Sequence, residues 1–244
     1  NTHMVFSKLR ILSFMSWLIL RYIFKCHILW GLLLMVNLSV SPVHPGQFKL
    51  SALNCGHGLC LLIQTQKHTL LYDIGSTRRT NIATSVVIPY LNHEHIASLD
   101  RVVISHPDHD HFSGLQTLLY IIPVKSLYTS IPLSVNLPIK TKQYRCQQGD
   151  LWEWDGVVFS VLHPNQKQAW QGNNQSCVIK VSGSKGSILL TGDIEKPVEI
   201  ALVQHYPHFL ESDILLIPHH GSKTSSSPSF LKAVNPNAMI ISEN

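Results

Sequence analysis

Three short apolar runs in this chain each end abruptly in metal-ligating side chains, and that coincidence constrains the fold more than any other feature. Val102-Val103-Ile104-Ser105 leads into His106, Ile188-Leu189-Leu190-Thr191 into Gly192-Asp193, and Ile214-Leu215-Leu216-Ile217-Pro218 into His219-His220. Short apolar runs punctuated by turn formers read as strands. In layered α/β proteins ligands gather at the carboxyl ends of strands, so bursts far apart in sequence can converge on one cleft. Tyr72-Asp73-Ile74-Gly75 adds a fourth strand end of the same kind.

The rest of the chain after Gln47 fits that frame. Strand-like runs fall at 48–53, 59–65, 69–72, 101–105, 126–128, 157–162, 177–181, 187–190, 213–217 and 238–241. Helix-like stretches fall at 81–93, 112–121, 195–206 and 227–234, the last with Ser225 to Ser227 as cap residues and Pro228 in its first turn. So many strands imply two sheets. Strands first, then strands mixed with helices, predict an αββα four-layer sandwich over residues 47–244. The polar segment 131–148, with Pro132 and Pro138, reads as a surface connection, and Lys140, Lys142 and Arg145 give it a small basic cluster. The chain stops directly after a strand-like run, as a piece of a longer protein would.

Residues 1–46 form an N-terminal hydrophobic segment. Ile11 to Leu20 and Ile28 to Val40 are nearly all apolar, and neither reaches the roughly 20 residues that span a bilayer unaided. A cleaved signal peptide is disfavoured by the second run and the lack of a small-residue cleavage site. A tilted span over the second run and an interfacial hairpin both remain. Arg10, Arg21 and Lys25 precede that run, which orients everything after Ser41 to the extracytoplasmic side of a plasma membrane. The formal charge of +5 permits an acidic partner without demanding one. Five cysteines without a CxxC pair indicate neither a zinc ribbon nor a full disulfide framework. They read mostly as buried thiols, with Cys55 and Cys60 the candidate pair if the domain lies outside the cytoplasm.

His106-Pro107-Asp108-His109-Asp110-His111 places five ligand-type side chains within six positions directly after a strand. An irregular loop offering side chains at 106, 108, 110 and 111 can point two toward one metal and two toward a neighbour, which a regular helix or strand could not. Imidazoles and carboxylates suit Zn²⁺, Mn²⁺ or Fe²⁺. Two such ions roughly 3.5 to 4 Å apart can share a carboxylate and a water, and they make that water nucleophilic at neutral pH. Isolated histidines such as His44, His68, His93, His95, His205 and His208 carry no such pattern and read as ordinary surface residues.

The run His106 to His111 resembles the HxHxDH signature of the metallo-β-lactamase superfamily. Leu190-Thr191-Gly192-Asp193-Ile194-Glu195 and Pro218-His219-His220-Gly221-Ser222-Lys223-Thr224-Ser225 are similar to one branch of it, the C-terminal domain of ComEC-type competence proteins, which take up DNA across the bacterial membrane. The likeness covers Gln47 to Asn244. It implies that His106 and Asp108 bind one divalent ion, Asp110 and His111 a second, and Asp193 bridges them, with His219 or His220 completing the second site. The ions would be Zn or Mn; Asp108 stands where most of the superfamily has histidine and makes the site harder. The superfamily's third-motif histidine is missing. Asn173 takes the equivalent place, with His163 as a stand-in. A turn that usually reads Asp-Val-Gly-Gln-Gly-Asp is here Asn54-Cys55-Gly56-His57-Gly58-Leu59, keeping the glycines but losing both acids and the glutamine.

The resemblance implies a membrane-bound deoxyribonuclease acting on single-stranded or duplex DNA alongside other DNA-uptake proteins, with the upstream apolar residues a remnant of a membrane domain. Asp110 and Asp193 are then the catalytic carboxylates, Asp110 orienting the nucleophile. Asp73 supports a ligand from behind, or caps a turn. Ser222, Lys223 and Thr224 bind a phosphate, or form a plain loop. Two rivals stay open. A metallohydrolase of a lactone, thioester or small phosphodiester would share every ligand, and a non-catalytic docking module would explain the altered turn.

Overall fold

The apolar runs become strands whose two faces are buried against different partners. In sequence order β1 (Lys49–Ala52), β2 (Leu61–Gln64), β3 (Thr69–Tyr72), β4 (Leu99–Ile104), β5 (Val124–Thr129) and β6 (Lys142–Arg145) form one sheet. The second sheet runs β12 (Ala238–Ile240), β11 (Ile214–Leu216), β10 (Gly186–Leu190), β9 (Val178–Gly183), β8 (Val157–His163), β7 (Leu151–Trp154). Alternate side chains point to opposite faces. Leu61, Ile63, Leu70, Tyr72 and Val103 from one sheet therefore meet Phe159, Val161, Ile179, Val181, Ile188, Leu190 and Leu216 from the other.

The residues between them in sequence face outward onto helices. Leu62, Leu71, Val102 and Ile104 pack against Val87, Leu91, Leu115 and Leu118. Leu162, Val178, Leu189 and Leu215 pack against Val198, Leu202, Phe230 and Val234. The helices on the first side are a π-helical turn, Ala83–Val87, continuing into α1 (Ile88–His93), then α2 (His109–Phe112) and α3 (Leu115–Ile121). On the second side they are α4 (Lys196–His205) and α5 (Pro228–Val234), where the Ser227 hydroxyl caps the helix by accepting the Phe230 N–H. Four layers result, αββα, as the element pattern predicts.

Strand direction decides where the carboxyl ends meet. Pairs β3 to β4, β4 to β5 and β5 to β6 are parallel, and β10 runs parallel to β11 and β11 to β12. The residues after Tyr72, Ile104, Leu190 and Leu216 are thereby delivered to one edge of the sandwich.

Two expectations are corrected and one strand is added. Residues 142–145 are a strand rather than part of a loop: Lys-Gln-Tyr-Arg offers no apolar alternation, and parallel pairing with β5 recruits it as a fully exposed edge. Leu151–Trp154 is a further strand, whose Trp152 and Trp154 cover the Arg101 guanidinium at 4.0 and 5.2 Å. Cys55 and Cys60 are buried free thiols, and the disulfide joins Cys146 to Cys177, with Cα atoms 5.9 Å apart. Spacing along the chain could not reveal it, because the bridge links β6 to β9 across the two sheets.

The structure describes residues 15–17, 19–25, 43–76, 80–165 and 168–242 of the chain in this computed structural model. The chain divides into two compact units, Asn1–Pro42 and Val43–Asn244. In the first, residues 15–17 and 19–25 are helical, and among the described residues no helix is long and apolar enough to cross a membrane. The apolar run 28–40 and Cys26 lie outside the described residues.

The disulfide closes a loop of sequence separation 31. Replacing both Cys146 and Cys177 with serine should lower unfolding free energy by about 3 to 4 kcal/mol on chain-entropy grounds, read as a reduced urea midpoint. Dithiothreitol should bring the wild-type chain to the same midpoint. Equal midpoints for oxidised wild type and the double variant would count against this assignment.

Candidate metal centre

Each strand end contributes a side chain held by its neighbours. His106 follows β4, His111 lies within α2, and His219-His220 occupy a tight turn in which both residues adopt left-handed backbone (φ 49° and 53°). Asp73 is left-handed as well (φ 59°). Such backbone costs on the order of 1 kcal/mol per non-glycine residue and persists only where the surroundings over-determine it. Glycines permit the close approach. A side chain at Gly75 would overlap the Asp110 carbonyl, and at Gly192 (φ 55°) a Cβ would stand 2.8 Å from that of Ser105.

The hydrogen bonds around the imidazoles fix which nitrogen carries the proton. Ser105 donates its N–H and hydroxyl to Asp73 at 2.6 and 2.7 Å, so the hydroxyl oxygen is left to accept from His106 Nδ1 at 3.0 Å. His111 Nδ1 donates to Asp73 at 2.8 Å. Ser242 donates to the Gly58 carbonyl and accepts from His220 Nδ1 at 2.8 Å. In all three rings Nδ1 holds the hydrogen bond and Nε2 points inward, which is how metal-ligating histidines are oriented in proteins.

The three Nε2 atoms are buried and make no hydrogen bond. They converge on one carboxylate oxygen. Asp193 Oδ2 lies 3.9 Å from His106 Nε2, 3.3 Å from His111 Nε2 and 3.4 Å from His220 Nε2. Asp110 Oδ2 stands 3.3 Å from His220 Nε2, and Asp108 Oδ2 stands 3.5 Å from His106 Nε2. Atoms each about 2.0 to 2.1 Å from a tetrahedral ion stand roughly 3.3 Å apart, so this donor set fits a divalent cation. Asp110, His111, Asp193 and His220 supply ligand atoms all within 4.8 Å of one another. His106 Nε2 faces both Asp108 and that same Asp193 oxygen, the donors a second position would draw on.

Electrostatics agree. Burial and the neighbouring His111 charge hold His106 below its ordinary pKa. Burial alone would also lower His111, but the Asp73 and Asp193 carboxylates outweigh it and raise the group well above the usual range. For His220 burial is likewise overcome, by Asp110 and Asp193, to about 9. The close approach of His220 takes Asp110 down to about 2. Burial opposes ionisation of Asp193, yet His111 and His220 hold it far below the carboxylate range.

Other candidate residues are placed less centrally. His219 turns away from the cluster. Its Nε2 is 3.1 Å from Asn173 Nδ2 and its Nδ1 3.2 Å from Thr224 Oγ1. Asn173, His219 and Ser222 line a cleft of about 500 Å³ over Asp108, Asp110, Asp193 and His220. His163 is not brought to the cleft: its Nε2 is bound to the Asn174 carbonyl at 2.8 Å, and burial lowers its pKa to about 4. Thr224 links His219 to Ser222, and the Lys223 carbonyl accepts from Lys196 Nζ.

With that geometry in view, the comparisons decide the family. The profile described as Metallo-beta-lactamase superfamily matches residues 53–242. The chain belongs to this superfamily. Within it, the chain is a ComEC-type domain. It is 37% identical over 197 residues to Recombination protein 2 of Haemophilus influenzae, covering 80% of this chain and 24% of that protein. It is 33% identical over 216 residues to Competence protein ComA of Neisseria gonorrhoeae, covering 87% and 30% respectively. The chain thus spans under a third of these relatives' length. The metallo-β-lactamase fold protein YhfI of Bacillus subtilis superposes with TM-score 0.54 at 16% identity, covering 79% of this chain and 83% of that one.

Further residues reach the site through tertiary contacts. The altered turn at Asn54–Leu59 stays joined to the site through its backbone: Leu59 N–H donates to the Asp110 carbonyl at 3.1 Å. His57 from that turn lines the cleft, its ring 4.8 Å from that of His220. Ser176 accepts the Asp193 N–H at 3.0 Å, and Ser242 orients His220. Nothing in spacing marks Ser176 and Ser242, since each acts through a tertiary contact.

Two outcomes are expected. Raised histidine pKa values stabilise the metal-free chain fully below the ordinary value near 6.5, and for His220 that contribution is lost as pH rises through about 9. Because a metal takes the Nε2 lone pair, Zn²⁺ binding at neutral pH should release protons. Calorimetry in buffers of different ionisation enthalpy reads this, and identical heats would contradict it. Asp73→Ala should weaken metal affinity by roughly 10 to 100-fold, measured by competition with a chromogenic chelator.

Proposed function

We propose that this metal-dependent hydrolase domain cleaves phosphodiester bonds of DNA during uptake by a membrane competence protein. The observation that carries the reading is the set of three buried, unpartnered imidazole nitrogens facing Asp108, Asp110 and Asp193 at the floor of an open cleft. Two divalent ions, Zn²⁺ or Mn²⁺, held there would supply Lewis-acid stabilisation of phosphoryl oxygens and a water acidic enough to ionise near neutral pH.

The chain's own groups do the rest. His106, Asp108 and Asp193 would hold one ion, and Asp110, His111, His220 and Asp193 the other. Asp193 could serve both, since its carboxylate faces all three Nε2 atoms. Asp110 is partly exposed on the cleft wall and, as a carboxylate at neutral pH, accepts a hydrogen bond from the attacking water and orients it. Asp73 holds His111 from behind, fixing tautomer and ring angle. His57, Asn173 and Ser222 line the opening where phosphate oxygens would enter.

The choice of DNA is supported by relatives whose names refer to competence and recombination. An extracytoplasmic position is supported by the Cys146–Cys177 disulfide, since such bonds persist in oxidising compartments. The N-terminal segment, residues 1–46, would join the hydrolase domain to the membrane part of the longer protein. The docking-module alternative rested on the altered turn, and the turn's retained contact with Asp110 favours a working site.

The test is cleavage of plasmid and single-stranded DNA by the 244-residue chain with Mn²⁺, with Zn²⁺ and with chelator. Metal-dependent cleavage is expected, with at least about a hundredfold loss in Asp193→Ala. DNA affinity should fall roughly tenfold between about 50 and 200 mM salt if two phosphates are contacted. A metal-loaded chain that hydrolyses lactones or thioesters but leaves DNA intact would refute the nuclease reading.

A further inference from the structure

The edge that carries the metal cluster carries a second polar cavity. Since β4, β5 and β6 are parallel, Ser130 follows β5 and Cys146 follows β6 at the same edge where His106 follows β4. Two strand spacings separate β6 from β4, roughly 10 Å. In the other sheet β8 and β10 are both antiparallel to β9, so His163-Pro164 emerges on the same side as Gly192-Asp193. Between these two edges lies a cavity of about 260 Å³, bordered by Ser130, Arg145, Cys146, Trp170 and Gln175.

This cavity and the metal cleft share one wall. The 3-10 turn Gly172–Gln175 presents Asn173 to the cleft and Gln175 to the cavity. The next residue, Ser176, binds the Asp193 N–H, and Cys177 after it is disulfide-bonded to Cys146.

Among the described residues, the lining of the cavity contains donors and no carboxylate. The side chain of Arg145 is exposed and forms no ion pair or hydrogen bond among the described residues. Ser130 is only 4% exposed, and its buried hydroxyl has no partner. The indole N–H of Trp170 is buried without a partner as well. Buried polar groups are rarely left so, and each such case calls for a ligand or water. Positive charge on an open sheet edge discourages edge pairing, which is sufficient reason for Lys142. It does not account for the hydroxyl and indole donors gathered beside Arg145.

We propose that this cavity is a phosphate subsite, taking the phosphodiester one or two nucleotides along from the one over the metal centre. Arg145 supplies the charge and a two-pronged donor, and Ser130 and Trp170 supply neutral donors. The inference rests on the reading of the substrate as a nucleic-acid strand. It adds a register: a strand held at both positions crosses the Gly172–Gln175 turn, and substrates lacking a second phosphate forfeit this contact.

The experiment uses the 244-residue chain and its Arg145→Ala and Ser130→Ala variants. Binding of a fluorescein-labelled 12-nucleotide strand to metal-free protein is followed by anisotropy across salt, and cleavage of the same strand is compared with hydrolysis of bis(p-nitrophenyl) phosphate. For Arg145→Ala the dissociation constant should rise about tenfold and the salt slope fall by about 1. Hydrolysis of the small diester should be unchanged, which shows the variant intact. Ser130→Ala should weaken strand binding in the same direction. If both variants bind and cleave the strand as wild type does, or the wild type binds no strand, the subsite is refuted. If the strand is bound through Arg145 but never cleaved, the subsite stands and the nuclease reading falls.

Discussion

The structure depends on a set of hydrogen bonds that face away from the chemistry. Asp73 takes both donors of Ser105 and the Nδ1 proton of His111. Ser105 thereby becomes the acceptor for His106, and Ser242 does the same for His220. These contacts leave three Nε2 lone pairs pointed at carboxylates in a buried space. Left-handed backbone at Asp73, His219 and His220 is destabilising in itself. The four-layer packing holds them in place regardless.

The sandwich can do this because its two sheets are locked at the same edge. Parallel pairing brings the ends of β3, β4, β10 and β11 together. The disulfide between Cys146 and Cys177 ties the first sheet to the second directly behind Ser176, whose hydroxyl holds the Asp193 backbone. Tyr72 adds a hydrogen bond from the first sheet to the Cys177 carbonyl at 2.7 Å. Rigid strands and one covalent bridge fix the distance between Asp193 and the histidines, while the cleft above stays open to a large substrate.

Much of this was legible from residue order. All ten strand-like runs became strands, and the four helix-like stretches became helices, two of them divided: a π-turn precedes α1, and the stretch at 112–121 is split around Ser113-Gly114. Apolar alternation and turn formers are local signals, which is why they survive transfer to the folded chain. The two missed strands have short or polar sequences whose pairing is supplied by a neighbour, β5 for one and β8 for the other. The disulfide partners could not be read for the same reason. Thirty-one residues of separation say nothing of which cysteines face each other across two sheets.

The sequence alone determined the donor chemistry, the superfamily, the order of strands and helices, and the clustering of ligands at strand ends, because these follow from residue type and short-range period. Only the tertiary structure decided that His220 rather than His219 joins Asp110, His111 and Asp193, and that His57 stands beside the cleft while His163 does not. Adjacent histidines in a left-handed turn point in different directions, and which one meets the carboxylates depends on how that turn seats against Ser242 and Thr224. That seating is a contact between segments distant in the chain, and no local pattern encodes it.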